Sequence, residues 1–336
     1  MGAGGERCYI ASPPFFFDQL SIFSSMPNPR LGIVLDVRGT ILSPTHDHPL
    51  NPGIAHAIAA LRARGIPVAL VTGSGRQTME RWVVPPLINA LSEANGADGV
   101  LIYTDHGAAG YRLHHSGELQ PLEGYPERVL SLPVLEQLEA ELLAFREAGA
   151  PVQTWETKVG QLNCEFAAPW AHRLELGATL QRQLRRSGLS GLSVSVPSAK
   201  DRIDISVSDK GRAVTDMVAR TGVRTAALWL VGDSLQPGGS DAPMLEGARG
   251  ARAVQVGPIP PGPGITHIPG DGPTRTAELL TALLAASDGR HVPPPARLLL
   301  PPFGPTHARA DQRLITKDYA PAVTRSRPEF SIIVPF

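Results

Sequence analysis

Four short segments of this 336-residue chain place carboxylate, hydroxyl and ammonium groups where strand-like runs end. In Gly32-Ile33-Val34-Leu35-Asp36-Val37-Arg38-Gly39-Thr40 an aspartate closes an apolar run, and in open α/β sheets the ligand crevice lies at that edge. In Val68-Ala69-Leu70-Val71-Thr72-Gly73-Ser74-Gly75-Arg76 a hydroxyl residue and a glycine-rich loop open a helix, whose free amides bind phosphate well. The run from Ile203 through Asp209 ends at Lys210, at a helix start. A lysine there opposes the helix dipole, which favours a task such as neutralising a phosphate or a carboxylate. In Leu228-Trp229-Leu230-Val231-Gly232-Asp233-Ser234 another apolar run ends in an aspartate, and a glycine-rich loop leads on to Asp241. Carboxylates at adjacent strand ends make a hard-cation site of the kind magnesium shares with water and substrate phosphate. Taken singly, each segment is equally an ordinary turn, a helix cap or a solvated charge. In this order and together, they describe a site for a divalent cation and a phosphate.

The elements that must position these residues show as a rhythm. Short apolar runs at 31–35, 67–72, 99–104, 226–231 and 253–256 alternate with amphipathic stretches at about 53–64, 76–92, 211–221 and 241–249. That alternation predicts a doubly wound, Rossmann-like parallel sheet with helices on both faces. Asn51-Pro52 and Ser74-Gly75 supply the starts of the first two helices. From about 110 to 200 the rhythm breaks into helices near 133–148 and 171–187 and strands at 161–166 and 192–196, which predicts an inserted α+β domain. The expected division is an N-terminal extension over 1–30, a core over 31–110 and 200–287, the insertion over 111–199, and a proline-rich, extended or partly disordered tail over 288–336. Met26, just before the first clear strand, is read as the native start.

Composition narrows the function classes. With 31 basic against 31 acidic residues the formal charge is zero, so no general attraction to nucleic acid or anionic membrane is expected. No basic stripe interleaves with aromatics, and no GxGxxG fingerprint marks a dinucleotide site. The two cysteines, Cys8 and Cys164, make neither a disulfide framework nor a thiolate cluster, which predicts a reducing, cytoplasmic setting. No apolar run is long enough to span a bilayer, and Pro13-Pro14-Phe15-Phe16-Phe17 lacks the basic start and cleavage site of a signal peptide. The expected partner is therefore a small phosphorylated metabolite. His114 and His115 read as surface residues, Trp82 and Trp229 as packing, and His106 as a loop former more than a metal ligand.

On the four segments the chain resembles the haloacid dehalogenase (HAD) superfamily, in the branch with a large α+β cap that includes Cof-type sugar-phosphate phosphatases and phosphomannomutase-like enzymes. The resemblance covers about residues 31–257, the cap by position more than by sequence. It implies a phosphoric monoester hydrolase in which Asp36 is the nucleophile that forms an aspartyl-phosphate. Thr72 would hold phosphoryl oxygens with Gly73 and Ser74, and Lys210 would be the third motif's lysine. Mg2+ would be held by Asp36, Asp233 and the backbone carbonyl of residue 38, with Asp241 as the last motif's second acid. The loop from Asp233 to Asp241 looks like the phosphomannomutase form. In the cap, Gly160-Gln161-Leu162-Asn163 is similar to that enzyme's cap, and Glu156 and Lys158 resemble a sugar-phosphatase strand, so Glu156, Lys158 and Asn163 are candidate substrate contacts.

One position departs from the family. Two residues after the nucleophile the branch carries an aspartate that protonates the leaving group and later activates water; here it is Arg38. General acid-base help is worth about 10²- to 10⁴-fold in rate, and a permanently charged guanidinium cannot alternate between the two roles. Three readings follow. Arg38 binds phosphate while water or a neighbour among His46, Asp47 and His48 relays the proton; or the chain is a catalytically impaired phosphate-binding module with Arg38 paired to Asp36 or Asp233; or the scaffold serves other biosynthetic chemistry.

Overall fold

The computed structural model describes residues 31–45, 47–94, 99–197 and 200–287. The expected N-terminal extension, the start at Met26 and the proline-rich tail lie outside the described residues, as do Cys8 and His46.

The predicted rhythm forms an eight-stranded sheet. Strands β1 (Gly32–Asp36), β2 (Val68–Val71), β3 (Leu101–Thr104), β10 (Leu228–Gly232), β11 (Arg252–Val256) and β12 (Thr266–Ile268) are parallel; β4 (Ala109–Leu113) and β5 (Leu119–Pro121) turn back antiparallel at one edge. The order is β12-β11-β10-β1-β2-β3-β4-β5. After β1 the chain builds outward to one side through β2 and β3, and later returns to β1's other side with β10. The β1/β10 boundary is thus the switch point where open α/β sheets leave a crevice, and Asp36 and Asp233 stand at the two strand ends that flank it.

Alternation along the strands divides the core. Ile33, Leu35, Leu70 and Val231 face one side, under helices α1 (Pro52–Ala63) and α7 (Gly272–Ser287) and the helical run α2 from Arg76 to Glu93. Val34, Ala69, Val71 and Leu230 face the other, under α5 (Lys210–Thr221) and α6 (Ala242–Gly247). Two apolar faces explain why these strands read as continuous hydrophobic runs. The Asn51 side chain accepts from Gly53 N–H at 2.8 Å with Pro52 in the first turn, so α1 starts where its signal predicts.

The insertion folds on its own core. Helices α3 (Leu132–Glu147) and α4 (Trp170–Arg186) cover a four-stranded antiparallel sheet of β6 (Val152–Thr157), β7 (Gln161–Phe166), β8 (Ser193–Ser195) and β9 (Arg202–Ser206), in the order β6-β7-β9-β8. The boundaries expected at 110 and 199 shift. β4 and β5 extend the large sheet to Pro121, because an antiparallel hairpin gives no helix-period signal and looks like part of an insertion. β9, read from sequence as a strand leading into the lysine helix, completes the cap sheet by pairing with β7 and β8. α7 also went unpredicted, although it packs against α1 and completes one face of the core.

Candidate active site

The end of β1 holds Asp36 at 2% exposure, where the Thr40 hydroxyl donates to Oδ2 at 3.0 Å and the Lys210 ammonium donates to Oδ1 at 2.5 Å. Lys210 begins α5, whose N-terminus is capped by Asp209 accepting from Gly211 and Arg212 N–H at 2.9 and 3.1 Å. With its helix start already satisfied, the ammonium reaches inward and also donates to Asp241 Oδ1 at 2.5 Å. The other oxygen of Asp241 accepts from the backbone N–H groups of Asp233 and Ser234, both at 3.0 Å, so Asp241 fixes the loop that carries Asp233. Asp233 lies over Gly39, where an added Cβ would stand 2.2 Å from its Oδ2.

Oxygens of Asp36, Asp233 and Asp241 fall within 4.8 Å of one another. The donors are the hard carboxylate oxygens that a divalent cation such as Mg2+ prefers. The set therefore fits such an ion. Burial and the Asp241 carboxylate push the Asp36 carboxyl up to about 6, against the pull of Lys210. Burial works against the Lys210 charge, but Asp241 and Asp36 outweigh it and hold the ammonium above its usual range.

Thr72 follows β2, next to β1, and is 1% exposed; its hydroxyl oxygen accepts from Ser74 N–H at 2.9 Å, which orients it and leaves its own proton to donate. Asp36, Arg38, Thr72, Gly73, Ser74, Lys210 and Asp233 share the walls of one cleft of about 440 Å³. Arg38 pairs there with Asp47, holding that carboxyl below its ordinary value by hydrogen bond and charge, and donates to Ser43 O at 3.4 Å. The Asp47 carboxylate is thereby taken up by the guanidinium, and His48 is exposed on the same loop.

The expected cap contacts stand one layer back. Glu156 and Asn163 are register partners on β6 and β7, Lys158 Nζ lies 3.8 Å from Glu156 Oε2, and none of the three lines the cleft. With its amide turned to satisfy its neighbours, Asn163 donates to Asp204 Oδ1 at 3.0 Å and accepts from Lys158 at 2.8 Å. The cap wall of the cleft is formed instead by Pro197, Lys200, Arg202 and Asp204. From the core side His106 joins them, its Nε2 3.2 Å from Asp204 Oδ2. These residues carried only partial signals in the sequence: an aspartate inside an apolar strand run, and a histidine between a strand and a glycine. The Lys200 ammonium is pushed down to about 8 by burial and then by Arg202 and Arg38. Burial opposes ionisation of Asp204, yet His106 and Arg202 hold its carboxyl below the usual range.

The cap is tied to the core beside this cleft. Gln161 Nε2 donates to Gly73 O at 2.9 Å, and Val196 N–H donates to Gly238 O at 3.3 Å. Gly160 packs so closely on Ala108 that a Cβ there would lie 2.7 Å from the alanine methyl.

No protein-family model and no curated protein matches the sequence. Solved structures do match by shape. IMP-bound IMP-nucleotidase of Plasmodium falciparum, truncated at its N-terminus, superposes with a TM-score of 0.58 at 13% identity, over 79% of this chain and 71% of that one. Trehalose-6-phosphate phosphatase of Aspergillus fumigatus gives 0.50 at 13% identity, over 79% of this chain and 96% of that one. At such identities the likeness speaks for architecture alone, a Rossmann-like core with an inserted α+β cap.

Proposed function

We propose that the chain is a metal-dependent phosphohydrolase that cleaves a small phosphorylated metabolite, a sugar phosphate in class, through an aspartyl-phosphate at Asp36. The observation that carries this reading is the Asp36-Lys210-Asp241 chain of contacts, with Asp233 and Thr72 in the same cleft. A carboxylate attacks a dianionic phosphate poorly unless positive charge screens the approach, and dividing hydrolysis into two displacements lowers each barrier. Asp36, Asp233 and the backbone carbonyl of Arg38 would hold Mg2+, with Asp241 orienting the loop. Such an ion supplies positive charge against the phosphoryl oxygens.

The chain's own groups do the rest. Lys210 steers the Asp36 carboxylate and screens its charge. The Thr72 hydroxyl and the Gly73 and Ser74 amides receive the phosphoryl oxygens, and the tied-down cap excludes water from the cleft. Glu156, Lys158 and Asn163 act on substrate through Asp204, which Asn163 braces. The substrate class draws support from the two structural neighbours, whose names specify phosphate monoesters of sugar hydroxyls.

The test is hydrolysis of p-nitrophenyl phosphate and a panel of sugar phosphates with Mg2+, beside Asp36→Asn and Arg38→Asp variants. Turnover by the parent that vanishes in Asp36→Asn is expected. A silent parent whose Arg38→Asp variant turns over would establish the impaired binding module instead, a reading favoured by the guanidinium in the cleft wall.

A further inference from the structure

Arg38 leaves the proposed reaction without a proton donor at the position where the family keeps one. Among the described residues lining the cleft, the imidazole of His106 is the group whose ordinary titration range spans neutral pH. Its placement is costly and specific. Both Asp105 and His106 adopt left-handed backbone angles, φ +50 and +56, a region that side chains other than glycine enter at a cost and that clusters at functional sites. The turn is held by His106 N–H donating to Thr72 O at 2.9 Å. The tip of the ring packs on Gly73, where a Cβ would meet Nε2 at 2.5 Å, so the glycine is what lets the ring in. Thr72 and Gly73 end β2, and Val71 is the register partner of Asp36. The imidazole and the Asp36 carboxylate thus line the same cleft.

Nε2 is engaged by Asp204, itself 1% exposed, while Nδ1 has no hydrogen bond among the described residues. A buried carboxylate on one imidazole nitrogen fixes the orientation of the ring and leaves the other nitrogen to exchange protons. The charged groups around His106 are Asp204 and Arg202 from β9, Asp105 from its own turn, and, in the shared cleft, Lys200, Lys210, Arg38, Asp36 and Asp233. The Thr72-Gly73-Ser74 loop brings none.

We propose that His106, braced by Asp204 of the cap, donates the proton to the leaving oxygen and then takes one from water, the two roles Arg38 cannot fill. The inference rests on the phosphohydrolase reading. In the first displacement an Asp36 oxygen bonds to phosphorus, the phosphorus–oxygen bond to the leaving group breaks, and that oxygen takes the proton of the His106 imidazolium. The alcohol departs, leaving an aspartyl-phosphate and a neutral imidazole. In the second, water gives a proton to His106 as its oxygen bonds to phosphorus, the bond to Asp36 breaks, and hydrogen phosphate leaves. Charge and protons balance over the two steps, and the imidazolium is restored. Because His106 belongs to the core and Asp204 to the cap, the donor is braced only when the two are closed together.

The test uses the full chain with Mg2+ and a series of phenyl phosphates running from p-nitrophenyl to unsubstituted phenyl phosphate. His106→Asn preserves the fold's demands, since asparagine tolerates the left-handed region and can still donate to Asp204. A missing proton donor matters little when the leaving phenolate is stable and much when it is not. The expected result is a loss of about 10²-fold or more in kcat/KM for phenyl phosphate, with p-nitrophenyl phosphate nearly unaffected. Parallel losses along the series would mean a purely structural histidine and overturn the proposal. Should His106→Asn not fold, Asp204→Asn in a Lys200→Met background decides. Its kcat/KM should fall far more for phenyl phosphate than for p-nitrophenyl phosphate if Asp204 braces the proton donor, and equal losses overturn the idea. Asp36→Asn separates the two claims: turnover that survives it refutes the phosphohydrolase reading itself, and a parent silent toward every ester removes both.

Discussion

The Lys210 ammonium lies 2.5 Å from the Asp36 carboxylate although 174 residues separate the two in the chain. Both are almost fully buried, and the same ammonium holds Asp241. Removing it would strand two like charges in a low-dielectric site, and breaking a buried pair in this way typically costs about 3–5 kcal/mol. Lys210→Met should therefore lower the unfolding free energy by that order in urea titrations without metal, and Mg2+ should recover part of the loss. A variant as stable as the parent would mean that the ammonium does not hold the two carboxylates.

Asp36 gives the proposed metal site a pH dependence whose sign is fixed. Its carboxyl is raised from 3.8 to about 6, first by burial and then by Asp241, so between those values the metal-free fold holds a proton that the unfolded chain does not. Metal-free stability should fall as pH rises through this window and level off above it. A cation that needs the ionised carboxylate competes with that proton. Mg2+ affinity should drop below pH 6, approaching tenfold per unit, and calorimetry in buffers of different ionisation enthalpy should detect proton release on binding. Affinity flat from pH 5 to 7 would place the ion away from Asp36.

Why the core and the placement of its polar side chains were legible while the cap wall was not follows from what each residue must satisfy. Asp36, Thr72, Lys210 and Asp233 end apolar runs or open helices, so local pattern and position coincide. Asp204 sits inside an apolar strand, and only pairing across β7 and across the cap–core boundary explains its charge. His106 was read as a loop former, and its left-handed turn agrees. That the turn aims the ring into the cleft depends on Gly73 and Asp204, two contacts that local pattern does not encode. The hairpin β4–β5 escaped for a similar reason, since its partner strand β3 decides which sheet it joins.

Gly39 couples backbone strain to the cation site. It adopts φ +87, and a Cβ would fall 2.2 Å from Asp233 Oδ2. Gly39→Ala should lose about 1–3 kcal/mol of stability from the backbone and, by displacing Asp233, at least tenfold in Mg2+ affinity. Gly65 provides the control: its φ is +72 and nothing lies within 4 Å of an added Cβ. Gly65→Ala should destabilise while leaving Mg2+ affinity alone. Equal effects of the two on affinity would separate Asp233 from the ion.

Arg38 and His106 should prove interchangeable as proton sources once residue 38 can titrate. Arg38→Asp places a titratable carboxyl two residues after Asp36, and in a His106→Asn background it should restore phenyl phosphate hydrolysis by at least tenfold, within the range that acid catalysis supplies. The same change in the parent should alter turnover much less, because a donor is already present. Rescue that is absent, with the double variant folded and binding Mg2+, would mean residue 38 does not face the leaving group.

Lys200 turns the cap wall into an anion sensor. Burial, then the nearby Arg202 and Arg38, bring its pKa down to about 8, and among the described residues it has no ion-pair partner. An arriving phosphate favours the charged form, so the bound state must hold this proton to higher pH than the free state does. The linkage is explicit: the contribution of Lys200 to the affinity for inorganic phosphate should be constant below pH 8 and decline above it, and between the two pKa values binding should take up a proton. Calorimetry at pH 8.5 in two buffers reads that uptake directly. Lys200→Met should weaken phosphate binding at pH 7 and abolish the uptake, whereas uptake that persists in the variant would assign the proton to another group in the cleft.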